Sequence, residues 1–185
     1  MAIYGFNSIG ATGWWSCEVR YCALTVTLAS TETAVKLSAY LRSQGSATNG
    51  LKMALYETTG DTLSYESSVL SGFTDTTGAW RDFTFTSSVA AGTYRIIVIG
   101  DSIAGGANTV EVAYDTVGAD ASLYQEYFYG GTWPTLDADL SGAEVPTTTR
   151  KASVYLETSS GGSPPVLSAA TPSAQRNRRH TGRRF

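Results

Sequence analysis

Between residues 22 and 158 the chain repeatedly alternates apolar and polar positions with a period of two. In "CALTVTLA" one face collects Cys22, Leu24, Val26 and Leu28. In "AVKLSAYLRS" Val35, Leu37, Ala39 and Leu41 oppose Lys36, Ser38, Tyr40 and Arg42. In "LKMALYET" Leu51, Met53 and Leu55 share a face. Successive side chains of a strand point to opposite sides, so one apolar phase per segment predicts strands half buried in a sheet. Further strands are predicted in "LSYESSVL", "WRDFTFT", "GTYRIIVIG", "NTVEVAYDTV", "ASLYQEYF" and "KASVYLET", parted by turn words such as "TNG", "TTGD", "TTGA" and "AAGT". No window carries a stripe of period 3.6, and no crossover helix is predicted. The expectation is an all-β antiparallel sandwich, a jelly roll of about nine strands.

The alternation stops at residue 158, which sets a boundary: a sandwich over residues 1–158, then a linker and basic arm over 159–185. "SSGGSPP" reads as a flexible linker stiffened at Pro164-Pro165. "VLSAATPSAQ" is similar to the opening strand of an immunoglobulin-like domain, but the chain runs instead into "RNRRHTGRRF". Charge sharpens the division. The chain of 185 residues has thirteen basic and sixteen acidic side chains, a net −3. All sixteen acids and eight of the bases precede residue 161, so the body carries −8 and the arm +5. Charged residues make up only 16% of the whole, leaving a surface rich in Ser, Thr, Gly and Tyr. The acidic body disfavours a nucleic-acid duplex, and no aromatic interleaving marks a single-strand groove. The arm has too few apolar residues to fold alone, so its order must come from a partner. Val166, Leu167 and Phe185 would fill apolar gaps on another protein, and Arg176, Arg178, Arg179, Arg183 and Arg184 would meet its carboxylates.

Catalytic chemistry is not expected. "IVIGDSIAGG" is similar to the first block of the GDS(L)-type serine hydrolases, with Ser102 in the nucleophile's place. A serine needs a base, and the sole histidine, His180, lies in the arm, while the "DxxH" motif of that family is missing. "YRIIVIGDS" therefore reads as a buried strand entering a turn. Asp101, Asp115, Asp120, Asp137 and Asp139 fall near predicted loops, where aspartates serve local turns. The pair in "LDADL" would give a calcium ion only two of the six to eight oxygens it takes, so no metal and no cofactor is assigned. Cys17 and Cys22 are about 16 Å apart on an extended chain, against about 7 Å for a disulfide, so two reduced thiols are expected unless the chain folds back between them.

Aromatic residues give the remaining candidates. Trp14 and Trp15 in "GWWS", and Tyr127, Tyr129 and Trp133 in "YQEYFYGGTWP", crowd predicted loops and strand ends. They close the ends of the core, anchor a protein interface or stack on a glycan. A planar solvent-facing row of Trp14, Trp15 and Trp133 would mark the glycan reading.

Several words together resemble a jelly-roll family common in bacteriophage and metagenomic genomes. "YGFNSIGAT" is similar to its opening, and "AVKLSAYLRS" with "GLKMALYET" to its paired strands. "GAWRDFTFTSSVAAGTYRIIVIGDS" resembles its W-x-x-F-x-F strand, turn and buried strand, with Arg95 where many members carry Trp. "KASVYLET" resembles its closing strand. The resemblance spans residues 4–158 and implies a carbohydrate-binding-module-like sandwich on virion surfaces, fibres or tails. It carries no functional residue across. The expected protein is a non-enzymatic virion component, first a capsid decoration protein and second a tail or fibre component, with a glycan-binding module as the alternative. Its partners would be a major capsid or tail protein and further copies of itself, a trimer by preference. The N-terminus lacks a basic n-region and an apolar h-region, and no run reaches the roughly 20 apolar residues that span a bilayer, so synthesis in a host cytoplasm without membrane insertion is expected.

Overall fold

Strands with a single apolar face must bury it against a second layer. The computed structural model describes residues 1–17, 20–44, 49–100, 109–116, 124–128, 133–138, 140 and 150–159, with backbone alone at 20–21, 49, 109 and 124–128. Thirteen strands lie among these residues: β1 (Ala2–Gly5), β2 (Gly13–Ser16), β3 (Arg20–Leu28), β4 (Glu32–Gln44), β5 (Asn49–Glu57), β6 (Leu63–Glu66), β7 (Leu70–Phe73), β8 (Ala79–Val89), β9 (Gly92–Gly100), β10 (Thr109–Thr116), β11 (Tyr124–Phe128), β12 (Arg150–Ala152) and β13 (Val154–Thr158). A seven-stranded sheet runs β1-β13-β4-β10-β12, with β2 on β10 and β8 on β4. A six-stranded sheet runs β11-β3-β9-β5-β6, with β7 on β5. Every pairing is antiparallel. The chain crosses between sheets from β3 to β4 to β5, and again at each step from β7 to β12. The fold is an antiparallel β-sandwich, and this alternation is the winding of a jelly roll.

The core lies between the sheets. Leu24, Leu28, Leu37, Leu41, Met53, Leu55, Ile96, Val98, Val112 and Leu156 are all buried there, in the phases that the alternation assigns. Val35 departs from its expected place. A register shift between Ala34 and Lys36 puts the smaller Ala34 in the core and leaves Val35 half-buried. One extra residue in a strand reverses the facing of everything beyond it.

Strand number differs as well. β1 and β2 are four residues each, too short for alternation to register within a Gly- and Ser-rich opening. "LSYESSVL" holds only β6, and its last residue, Leu70, opens β7. "KASVYLET" divides at Ser153, whose amide donates to Ala113 O of β10 while its carbonyl accepts from Tyr40 N of β4. One residue thus hands the chain from one neighbour strand to another.

The six-stranded sheet is covered on both faces. Ala23, Ala54, Ile97 and Ile99 form a second apolar cluster on its outer side under Leu136 and Leu140. The covering segment is pinned by Leu63 N to Ala138 O and Leu140 N to Asp61 O, each 2.9 Å, and by the Tyr56 hydroxyl donating to Asp137 O at 2.6 Å. Arg95 forms an ion pair with Asp61 on this side. Double burial explains the unbroken "IIVI" of β9.

Candidate functional site

Among the described residues no segment covers the outer face of the seven-stranded sheet, and the candidate site lies there. Its outward positions include Lys36, Tyr40 and Arg42 on β4, Trp80 and Asp82 on β8, Tyr155 and Glu157 on β13, and Trp14 on β2. Strand pairing sets Tyr40 opposite Trp80 and Ser38 opposite Tyr155. Four half-buried rings therefore line up across the sheet. Trp14 stacks on Tyr40 with centroids 5.9 Å apart and planes at 25°. Tyr40 meets Trp80 edge to face at 5.5 Å, and Trp80 meets Tyr155 edge to face at 5.2 Å. Spacings of 4.5–7 Å in these attitudes are the favourable ones for aromatic pairs.

Cations close both ends of the row. The Arg42 guanidinium lies 4.3 Å from the Trp14 ring centroid and donates to Glu111 Oε2 at 2.6 Å. Lys36 sits 5.8 Å from the Tyr155 ring and bridges Asp82 and Glu157 at 3.2 and 3.1 Å. Burial draws the Lys36 ammonium's pKa down, but its hydrogen bonds to Glu157 and Asp82 outweigh this and hold the pKa above the ordinary lysine value. Beneath the row, buried Ser38 donates to Asp82 Oδ1 at 2.6 Å. The charges of this face are thus satisfied within it.

The loop entering β8 supports the row. Gly78 lies against Trp14 and Tyr40, and its carbonyl accepts the Tyr40 hydroxyl at 3.1 Å. Asp75 accepts Thr77 N at 2.9 Å, Thr77 Oγ1 at 2.8 Å and Arg81 Nη2 at 2.7 Å. The Thr77 hydroxyl, then its amide, hold the Asp75 carboxyl below its ordinary pKa.

The tryptophans named from sequence do not form one row. Trp14 stands on the outer face of the seven-stranded sheet. Trp15, the next residue of the same strand, turns inward and is 2% exposed. Trp133 packs on the outer cluster of the other sheet. The Tyr127 side chain, Tyr129 and the arm residues Val166, Leu167, Arg176, Arg178, Arg179, Arg183, Arg184 and Phe185 lie outside the described residues, as do Asp101, Ser102, Asp120, Asp139 and His180. Asp115 holds the 10–12 turn, accepting Ala11 N at 2.6 Å and Thr12 N at 3.2 Å. Among the described residues no three His, Cys, Asp or Glu side chains converge.

Tyr40, Trp80 and Tyr155 were not singled out from sequence, although a signal exists. Each is an aromatic residue on the polar phase of an amphipathic strand. Only the pairing of β2, β4, β8 and β13 into one sheet shows that they adjoin. Comparison with protein-family models and with curated proteins finds no match for the chain, so the resemblance to the phage jelly-roll family rests on its motifs alone.

Proposed function

We propose that the chain is a non-enzymatic structural protein of a bacteriophage particle, a β-sandwich that docks on a neighbouring virion protein through the aromatic row. The carrying observation is that the ring faces are engaged. Trp14 is covered by Tyr40 and Arg42, Trp80 presents edge contacts to two neighbours, and Tyr155 carries Lys36. A platform for stacked sugars needs open, coplanar faces, whereas a protein interface uses ring edges, Arg and packed Trp and Tyr anchors. The near-neutral surface composition and the phage-family words are consistent with display on a particle. Fold by itself establishes no role.

Glycan binding is the second reading, because four half-exposed rings on one sheet face are also what a sugar would meet. One experiment separates the two. The double variant Trp80→Ala/Tyr155→Ala and the native protein are compared for incorporation into particles and for retention on a panel of polysaccharides. The proposal predicts that the variant remains folded, is under-represented in particles, and that neither protein is retained on sugar. Retention of the native protein that disappears in the variant, with incorporation unaffected, would transfer the row to the glycan reading.

A further inference from the structure

The two cysteines meet across the sandwich. Cys17 directly follows β2 of the seven-stranded sheet, while Cys22 lies in β3 of the six-stranded sheet. Both side chains are 0% exposed, and their Sγ atoms are 2.9 Å apart. That separation is inside van der Waals contact and within about 1 Å of a covalent S–S distance. Backbone bonds on both sides hold Cys17 in place: its amide donates to Val110 O and its carbonyl accepts from Gly100 N, each at 2.9 Å. Cys22 is fixed in the ladder opposite Val98. Neither is in a disulfide in this structure. Among the described residues no third ligand-type side chain joins them to make up the four donors of a structural zinc site.

We infer that Cys17 and Cys22 are a redox pair, a dithiol in a reducing compartment that closes into a disulfide stapling one sheet to the other in oxidising surroundings. The oxidant is a low-molecular-weight disulfide. One cysteine thiolate attacks it, giving a mixed disulfide and releasing one small thiolate. The second cysteine loses its proton and attacks the protein sulfur of the mixed disulfide, expelling the second small thiolate. Two protein thiols and one small disulfide become one protein disulfide and two small thiols. Because both sulfurs are buried, the first attack requires local opening. β2 is the natural place, a four-residue strand whose strand pairing is with β10. Closed, the bond ties that short strand to β3, which pairs along seven positions with β9.

The full chain, purified under reductant, is exposed natively to oxidised glutathione and then denatured for thiol titration, intact mass and tryptic mapping without reduction. The titratable thiols should fall from two to none and the mass should drop by two hydrogens. Cleavage after Arg20 should leave the fragment holding Cys17 linked to the fragment holding Cys22. The oxidised form should melt about 4–8 °C above the reduced one, the scale set by a short closed loop in a chain of this length. The double variant Cys17→Ser/Cys22→Ser should show no oxidant-dependent shift. Thiols that persist after oxidant, glutathione retained on the protein, or a link between two chains would each overturn the pairing. A disulfide that forms without raising the melting temperature would overturn the staple.

Discussion

Gly78 shows how a single backbone angle serves the candidate site. Its φ is +99°, a region that side chains disfavour, and an added Cβ would lie 2.7 Å from Trp14 Cη2 and 3.0 Å from Tyr40 Cε1. Gly78→Ala should therefore cost about 1–3 kcal/mol and displace Trp14, read as a lower denaturation midpoint together with a shift in tryptophan emission. Asp75, in the same loop, links this support to pH. Its folded pKa is lowered from 3.8 by the Thr77 hydroxyl and amide. Its contribution is therefore whole above the unfolded pKa and is lost as pH falls through the lower folded value. Asp75→Asn should flatten the acid limb of the stability profile by removing this contribution near neutrality, while changing little below the folded pKa. An unchanged acid limb in equilibrium unfolding would remove Asp75 from this role.

At the scale of elements, period-two alternation was sufficient to assign the two-layer fold and the inward residues of β3 and β5. It was insufficient where a second surface or an irregularity intervened. Ala54 and Tyr56 lie on the polar phase of β5 yet are buried, because Trp133, Leu136 and Leu140 cover that face from far along the chain. No local window carries that information. Val35 and Ala34 exchange roles for a different reason, since alternation does not announce a bulge. The aromatic row was legible residue by residue but not as a site, because its members come from four strands separated by up to 141 positions, Trp14 to Tyr155. The covering segment gives a direct test. Leu136→Ala should destabilise the protein by about 2–5 kcal/mol, although Leu136 lies outside the main core. Urea unfolding would show this as a lower midpoint at constant slope.

For the whole molecule, the expected assembly is a closed, symmetric homo-oligomer, a trimer by preference. Sedimentation of the native chain at micromolar concentration should show it, and a single monomeric species at every concentration would contradict it. The basic arm enters here through its sequence. Removing residues 164–185 should leave the melting temperature nearly unchanged, because every described core residue precedes residue 160, and should abolish incorporation into particles. Arg176, Arg178 and Arg179 changed together to Ala should weaken incorporation most at low salt, since exposed ion pairs are screened over about 8–10 Å at physiological ionic strength. The central claim is that this sandwich is part of a virion, and it is met most directly by quantitative mass spectrometry of density-purified particles from a lysate in which the chain is expressed. The account predicts peptides from residues 1–158 in fixed proportion to the capsid or tail protein, retained through repeated banding. Abundant chain in the lysate with none in the purified particles would contradict it.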